Sequence, residues 1–214
     1  MGRLLVIRHA QSTWNATGRW QGWSDPPLSE LGLEQARLAG QALAAAGVVP
    51  SLMACSDLAR ARRTAELIAL AVGYDQPLFI DKDLREQHVG DWNGLTSEQI
   101  ASRWPREYQA RRAGDLGAVP GGETGSDFIA RSVRAIYRLA CRQLEETVVV
   151  AHAGVVVALE VALGVWESRR HSNLSGWWLE GKEDPPDLEL VPLSRVDLLA
   201  LGAEKVQKTV TGSA

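Results

Sequence analysis

Two histidines occupy equivalent places in the sequence, each at the end of a short apolar run. His9 follows residues 4–7 and Arg8, and His152 follows residues 147–151. Each run is typical of a buried strand, and open α/β sheets bind ligands at the carboxyl ends of their strands. Two imidazoles brought together there can transfer a phosphoryl group, because one can attack phosphorus while the other helps to hold the oxygens. The small residues after His152 would also let backbone amides approach such an oxygen.

Other polar residues could complete a site for a phosphomonoester. This group carries about two negative charges, so its site needs positive charge and many hydrogen-bond donors. Arg8, beside the first histidine, offers a planar fork of donors. Arg60 stands in the first turn of a predicted helix whose amino-terminal amides could face the same anion. Asn15 and Gln21 could donate to the phosphoryl oxygens, and Glu86 could supply a proton.

The elements that must position these residues alternate between strand and helix patterns. Ser29 can cap one helix, and Asp57 can cap the helix that carries Arg60. Thr96 and Gln99 form a capping-box pattern at the start of another. The predicted helices cover residues 29–47, 57–73, 96–104, 107–113, 127–144 and 155–163. The predicted strands cover residues 4–7, 52–55, 78–80 and 147–151, with further strands between 177 and 203 on either side of a turn at 183–186.

This alternation favours a mainly parallel sheet with helices on both faces. We therefore expect an α/β fold, a three-layer α/β/α sandwich with a mainly parallel central sheet. The chain has 214 residues, and a domain of this size buries roughly 70% of its unfolded surface. Because no repeat or linker divides the sequence, we interpret residues 1–214 as a single domain.

Composition narrows the class of protein and its partners. The net charge of −3 and the pI of about 5.8 do not favour nucleic acid as a partner. The sequence has no signal-peptide pattern and no apolar run of membrane-spanning length, so no membrane partner is expected. Cys55 and Cys141 form no metal or redox motif, and we interpret both as buried free thiols. We expect a cytoplasmic protein, and leave open whether it is a monomer or a homodimer.

The candidate residues belong to short blocks that follow one another along the chain. The blocks are RHAQSTWN at 8–15, QGWSDPPLS at 21–29, SDLARA at 56–61, LREQHVGDWNG at 84–94, GGET at 121–124 and HAG at 152–154. In this order they resemble the histidine phosphatase superfamily, also called phosphoglycerate-mutase-like. Each block alone is a weak signal, but the ordered set is specific and spans most of the chain.

The resemblance implies a role for each candidate. His9 would be the nucleophile that becomes phosphohistidine, and Glu86 would be the general acid and then the base for water. Arg8, Arg60 and His152 would also be catalytic. Contacts to the phosphoryl group would come from Arg8, Asn15, Gln21, Arg60 and His152. Neither a metal nor a cofactor is expected, and the substrate would be a small phosphorylated metabolite.

The resemblance favours a cofactor-independent phosphatase of small phosphomonoesters, with two alternatives. A phosphoglycerate mutase is the nearer one, but such mutases tend to have a longer segment after the proton-donor block than the one between Gly94 and Pro120. The other is a non-catalytic phospholigand-binding protein on the same fold. Such a protein should lack the nucleophile or the acid, and this chain has both.

A few residues near the blocks are expected to have other roles. Ala10 stands where the family usually has glycine, which would be costly if the backbone there required a positive φ. We interpret His171 as a surface residue and His88 as structural or solvated. The tryptophans close to the blocks are expected to pack in the core or at the rim of the site: Trp14, Trp20, Trp23 and Trp92.

Overall fold

The protein is described by a computed structural model that covers residues 2–117, 119–142, 144–167, 171–182 and 187–201. The strands are β1 (Arg3–Arg8), β2 (Leu52–Cys55), β3 (Phe79–Ile80), β4 (Glu146–Ala151), β5 (Ser175–Lys182) and β6 (Glu189–Asp197). The α-helices are α1 (Thr13–Ala16), α2 (Glu30–Ala45), α3 (Ala59–Val72), α4 (Ser97–Arg103), α5 (Pro105–Arg112), α6 (Gly125–Ala140) and α7 (Ala153–Ala162). Two short 3₁₀ turns cover Lys82–Leu84 and Gly90–Trp92.

In the described part of the chain, six strands form one sheet in the order β3-β2-β4-β1-β5-β6. The first four strands in this order pair in parallel, and β5 and β6 add an antiparallel edge. The register pairs Arg8 of β1 with Ala151 of β4. His9 and His152 therefore leave the sheet side by side, and the prediction of a mainly parallel sheet is confirmed.

The two faces of the sheet are covered by different helices. Successive side chains of a strand point to opposite faces. Leu5 and Ile7 accordingly pack into a core with residues of α2 and α3, whereas Leu4 and Val6 pack into a second core with residues of α6 and α7. The predicted three-layer arrangement is therefore confirmed, and His9 and His152, at the ends of β1 and β4, are both buried.

Helix starts agree with the sequence in two cases and disagree in one. Ser29 caps α2, and Thr96 with Gln99 forms the expected capping box of α4. Asp57 was predicted to cap α3, and this is wrong. α3 begins after Leu58 without a side-chain cap from its own segment. The Asp57 carboxylate instead forms an ion pair with Arg85, 2.6 Å from Nη2, a competing partner that is distant in sequence.

The end of α6 corrects a second expectation. This helix ends at Ala140, earlier than the predicted residue 144. As a result Cys141 is an exposed free thiol, whereas Cys55 is buried in β2 as expected. The predicted turn at 183–186 lies outside the described residues. None of the described helices has both the length and the apolar character that crossing a membrane requires.

Candidate active site

The predicted site residues meet at the carboxyl ends of β1 and β4. A cavity of about 460 Å³ opens there. Six of the seven candidates line it: Arg8, His9, Asn15, Gln21, Arg60 and Glu86. His152 is not a lining residue, but its fully buried ring lies edge-on to that of His9 with 5.1 Å between ring centroids. The structure thus brings all the candidates to one place.

His9 presents an unprotonated nitrogen to the cavity. Its Nδ1 lies 2.6 Å from the carbonyl oxygen of Ala10, which can only accept, so Nδ1 carries the proton. Its Nε2 then accepts a hydrogen bond from Arg60 Nε at 3.2 Å. Burial, followed by the charges of Arg60 and Arg8, lowers the pKa of His9 well below its ordinary value. The ring is therefore neutral at pH 7, and the lone pair that can attack phosphorus is on Nε2. In this structure it accepts the hydrogen bond from Arg60, which an incoming phosphoryl group would replace.

Arg60 is held rigidly beside this nitrogen. Its Nη1 and Nη2 donate to the backbone carbonyls of Ser24 and Gly22 at 2.7 and 2.8 Å. Gly22 has a φ of +47°, which favours glycine at this turn. Burial lowers the pKa of Arg60 to about 10, against the opposing charges of Glu86 and Asp25. The guanidinium therefore remains cationic and fixed in direction.

Arg8 and His152 have polar atoms left for a ligand. Arg8 Nη1 donates to the carbonyl of His171 at 2.7 Å, while its buried Nε has no partner among the described residues. Both ring nitrogens of His152 are likewise buried without a partner in the described structure. Burial, and then the charge of Arg60, lowers the pKa of His152 well below its usual value. Buried polar atoms without partners are costly. Phosphoryl oxygens would accept from Arg8 Nε and from the one His152 nitrogen that carries a proton in the neutral ring.

Asn15 and Gln21 are oriented by a residue that sequence reasoning did not single out. Ser12 N donates to Asn15 Oδ1 at 3.3 Å, and Ser12 Oγ donates to Gln21 Oε1 at 2.8 Å. Both amide oxygens are thus engaged, which leaves the two NH₂ groups as donors. The signal in the sequence is Ser12 three residues before Asn15, which forms a capping box at the start of α1.

Glu86 is fixed at both its backbone and its side chain. Its carbonyl accepts from Trp23 Nε1 at 2.7 Å and from Arg131 Nη2 at 2.9 Å. Its carboxylate accepts from the amides of Gln87 and Gly154 at 2.8 and 3.1 Å. A side chain at Gly154 would overlap this carboxylate, so only glycine allows the approach.

These contacts correct two expectations about backbone amides. Backbone amides after His152 were expected to approach a phosphoryl oxygen, but the Gly154 amide donates to Glu86 instead. The first amides of α3 were predicted to face the same anion as Arg60. The Ala59 amide donates to Asp25 Oδ1 at 2.7 Å and the Leu58 amide to Ser56 Oγ at 3.3 Å. In both places a side chain of the protein has taken the position expected for the ligand.

Ala10 fits its position without strain. Leu174 is the residue that combines a side chain with positive φ among those described, so Ala10 needs no glycine-like backbone. Its side chain is fully buried, and its amide donates to Thr64 Oγ1 at 3.1 Å. The methyl group is therefore part of the core below the pocket.

The structure adds residues that the sequence reasoning missed. His171 was predicted to lie on the surface, but it is buried and lines the cavity, because β5 folds back beside β1. Arg111, on α5, also lines the cavity, and its buried Nη1 has no partner in the described part of the chain. Burial lowers the pKa of Arg111, opposed by the charge of Glu86. The only signal was the Arg111-Arg112 pair shortly before the GGET block.

The tryptophans near the sequence blocks have different environments in the structure. Trp92 is buried, and Trp20 packs against it edge-on while also lining the cavity. Trp23 is 42% exposed and stacks edge-on with His88, and neither residue lines the cavity. The described residues contain no cluster of three or more His, Cys, Asp or Glu side chains that could hold a metal ion.

Comparisons with known proteins agree with this geometry. Residues 4–192 match the histidine phosphatase superfamily (branch 1). A glucosyl-3-phosphoglycerate phosphatase of Mycolicibacterium vanbaalenii is 39% identical over 75% of this chain and 73% of that protein. A 2,3-bisphosphoglycerate-dependent phosphoglycerate mutase of Methylobacterium sp. is 39% identical over 83% of this chain and 88% of that protein. A mycobacterial glucosyl-3-phosphoglycerate phosphatase in complex with VO₃ has a similar structure, with a TM-score of 0.80, 32% identity, and coverage of 91% and 98% of the two chains.

Proposed function

Because the chain belongs to the histidine phosphatase superfamily, we propose that it hydrolyses small phosphomonoesters that carry a second acidic group. The reaction proceeds through a phosphohistidine at His9. The observation that carries this proposal is the neutral His9 Nε2, which faces a cavity lined by Arg8, Arg60 and Arg111.

In the first step His9 Nε2 attacks phosphorus, and the bond from phosphorus to the ester oxygen breaks. The leaving oxygen takes a proton from Glu86, which lines the same cavity. Negative charge on the three remaining oxygens is stabilised by Arg8, Arg60 and His152, with the amide donors of Asn15 and Gln21 adding further hydrogen bonds. Preorganised donors of this kind cost no rearrangement during the reaction.

In the second step water attacks phosphohistidine. Glu86 now accepts a proton from that water, the bond from phosphorus to nitrogen breaks, and inorganic phosphate is released. His9 returns to the neutral form, which its buried and cationic surroundings favour. The same carboxyl group thus serves as acid and then as base.

The charge of the phosphoryl group is balanced by protein side chains alone, so the reaction needs no metal ion. Arg8 and Arg60 supply fixed positive charge, and the described NH donors supply the hydrogen bonds. Activity should therefore survive exhaustive treatment with EDTA. Loss of activity that Mg²⁺ or Zn²⁺ restores would contradict this part of the proposal.

The second acidic group of the substrate would bind Arg111. A buried guanidinium nitrogen without a protein partner is costly, and a carboxylate is the planar acceptor that suits it. Trp20, Tyr108 and Arg112 line the same cavity of about 460 Å³, a volume that leaves room for a larger leaving group. A glycerate ester with a sugar attached, as in the named substrate of the mycobacterial relatives, combines both features.

A matched pair of substrates tests the need for the second acid. 3-Phosphoglycerate and glycerol 3-phosphate differ mainly in having a carboxylate or a hydroxymethyl group at the far carbon. We expect kcat/KM for phosphate release to be about tenfold or more higher for 3-phosphoglycerate, as for a charge-assisted pair. Glucosyl-3-phosphoglycerate is the third arm. Equal values for the first two would refute a role for the second acid.

The second candidate is a phosphoglycerate mutase, because mutases are among the relatives of comparable identity. A mutase would return the phosphoryl group to the bound glycerate rather than to water. Incubation with 3-phosphoglycerate and 2,3-bisphosphoglycerate, followed by ³¹P NMR, separates the two. We expect inorganic phosphate without accumulation of 2-phosphoglycerate. Faster interconversion of the two phosphoglycerates than phosphate release would establish the mutase.

We also propose that the enzyme acts in the cytoplasm on free metabolites. Both described cysteines are free thiols, which is typical of a reducing compartment. Cell fractionation with an antibody to the protein would test this, and recovery in a secreted fraction would contradict it.

A further inference from the structure

We propose that Glu160 is a positioning residue for Arg8, which it does not touch. It acts through His171 and the short segment 171–174, and this segment holds both Arg8 and His9. The proposal depends only on catalysis by the pocket and not on which natural substrate the enzyme uses.

Glu160 lies on α7, the helix that begins directly after His152, and its side chain is completely buried. Its Oε2 lies 3.0 Å from His171 Nε2. Its Oε1 accepts from Trp177 Nε1 at 2.7 Å and forms an ion pair with Arg195 at 3.2 Å. A carboxylate is costly to bury, and it is retained only where partners of this kind satisfy both oxygens.

Glu160 remains ionised in this environment. Burial alone would raise its pKa, but the hydrogen bonds from His171 and Trp177 bring the pKa below its ordinary value. The carboxylate can therefore only accept, so His171 Nε2 must donate to it. This bond fixes the His171 ring and with it the backbone at that position.

The segment that begins at His171 holds the catalytic strand end by three bonds. The His171 carbonyl accepts from Arg8 Nη1 at 2.7 Å. The Leu174 amide donates to the Arg8 carbonyl at 3.0 Å. Asn173 Nδ2 donates to the His9 carbonyl at 2.9 Å. Residues 171–174 therefore hold both the guanidinium of Arg8 and the backbone of the nucleophile, His9.

The backbone of this segment is under local strain. Leu174 has a φ of +61°, which residues with side chains rarely adopt. Such a conformation persists only where the surrounding structure holds it in place. The bond from Glu160 to His171 is one such anchor at the start of the segment. Without it, the carbonyl that accepts from Arg8 has fewer constraints on its position.

A long arginine side chain loses considerable freedom when it is fixed. Because Arg8 Nη1 is tied to the His171 carbonyl, the direction of its unpartnered Nε is set before the phosphoryl group arrives. Small errors in the position of such a donor lower the rate strongly. Glu160 would thus act on catalysis at a distance, by keeping the Arg8 donors in place.

The test is a double-mutant cycle between Glu160→Gln and Arg8→Lys on the full chain. p-Nitrophenyl phosphate is the substrate and inorganic phosphate is the competitive inhibitor. With Arg8 present, Glu160→Gln should lower kcat/KM about tenfold and raise the inhibition constant of phosphate, as expected for loss of a supporting contact. In the Arg8→Lys background, which lacks the guanidinium fork, the same change should alter kcat/KM by less than about twofold. A purely structural effect would be equal in both backgrounds, and that result would overturn the proposal.

Glu146→Gln is the matched control. Glu146 is a mostly buried carboxylate that pairs with Arg3 and accepts from the Val49 amide, at the opposite end of β4 from the site. It should change melting temperature without changing kcat/KM. If Glu160→Gln does not fold, His171→Asn takes its place in the same double-mutant cycle. That variant removes the bond between His171 and Glu160, while the Glu160 carboxylate keeps its contacts with Trp177 and Arg195. Unchanged kinetics in folded Glu160→Gln or His171→Asn would also overturn the proposal.

Discussion

The residues that line the cavity form two groups that are held differently. We call them the phosphoryl end (Arg8, His9, Asn15, Gln21 and Arg60) and the leaving-group end (Trp20, Tyr108, Arg111 and Arg112). At the phosphoryl end, the side chains that face the ligand are anchored by other atoms of their own: Arg60 by two carbonyls, and Asn15 and Gln21 through Ser12. At the leaving-group end, the buried Nη1 of Arg111 has no described partner, and its guanidinium carbon lies 5.8 Å from the centroid of the Trp20 ring. Arg8 also has a nitrogen without a described partner, but its Nη1 is anchored by the His171 carbonyl. The groups that perform the chemistry are therefore preorganised, whereas the group that recognises the leaving group gains its hydrogen-bond partner only when the substrate binds.

Removal of the nucleophile should abolish the function of the phosphoryl end and is the largest effect that we expect. His9→Ala should abolish turnover and phosphoenzyme formation, because no other described group presents a neutral imidazole nitrogen to Arg60. The measurement is steady-state phosphate release together with trapping of radiolabelled phosphoenzyme. Circular dichroism controls for folding. Near-normal hydrolysis by folded His9→Ala would refute the mechanism.

Removal of the acid should lower the rate by an amount that depends on the leaving group, so it tests the phosphoryl end and the leaving-group end together. Glu86→Gln keeps the shape and removes the proton source, so alkyl phosphates should slow by roughly 10²-fold or more. p-Nitrophenyl phosphate, whose leaving group hardly needs a proton, should lose less in the phosphorylation step. Single-turnover kinetics measure that step. Equal losses for both substrate types would assign Glu86 another role.

Removal of Arg111 should affect only the leaving-group end. Arg111→Met should lower kcat/KM for 3-phosphoglycerate about tenfold, since it removes a charge-assisted hydrogen bond. Glycerol 3-phosphate should change by less than about twofold, because it has no carboxylate to lose this contact. Arg106→Met, on the exposed face of the same helix, is the matched control. If the variant slows both substrates equally, Arg111 belongs to the phosphoryl end.

The smallest effect concerns stability rather than rate. The pKa values of His9 and His152 are well below 6.5 in the folded protein because of burial and nearby arginines. The unfolded chain then binds more protons below pH 6.5, so the free energy of unfolding should fall as pH decreases from about 6.5 towards the folded pKa values. Each histidine contributes a slope of up to about 1.4 kcal/mol per pH unit.

Urea unfolding between about pH 7.5 and 5.5, without phosphate, measures this slope. His152→Gln should make it shallower by about half, since one of the two histidines is then absent. An unchanged slope would show that the pKa of His152 is the same in the folded and unfolded chain, and a steeper slope would show that His152 is protonated in the folded state. Either result would remove the contrast between neutral imidazoles and cationic guanidinium groups at the phosphoryl end.

Much of the fold could be predicted because its signals are local. Apolar runs mark the buried strands, and Ser29 and Thr96 mark helix starts, since capping depends on residues three positions away. Asp57 shows the limit of such reasoning. Its carboxylate could cap the next helix, but Arg85 offers a charged partner, and nothing local reveals which contact forms.

The candidate site was predictable to the extent that strand ends and ordered blocks reveal it. His9, His152, Arg60 and Glu86 all meet where parallel strands end. At the starts of α3 and α7, the expectation of free amides fails for Ala59 and Gly154, because Asp25 and Glu86 already accept from them. An amide that faces a pocket looks the same in sequence whether a ligand or a side chain binds it.

By itself, the sequence determined the family, the sheet and the residues that can perform phosphoryl chemistry, since these depend on residue type, order and local periodicity. Only the tertiary structure decided the burial of His171, the support of Arg8 by the segment 171–174 and the buried, unpartnered nitrogen of Arg111 in the described part of the chain. These features arise where β5 returns beside β1 and where α5 reaches the cavity. Contacts between residues so far apart in the chain depend on how whole layers pack, which no short stretch of sequence specifies.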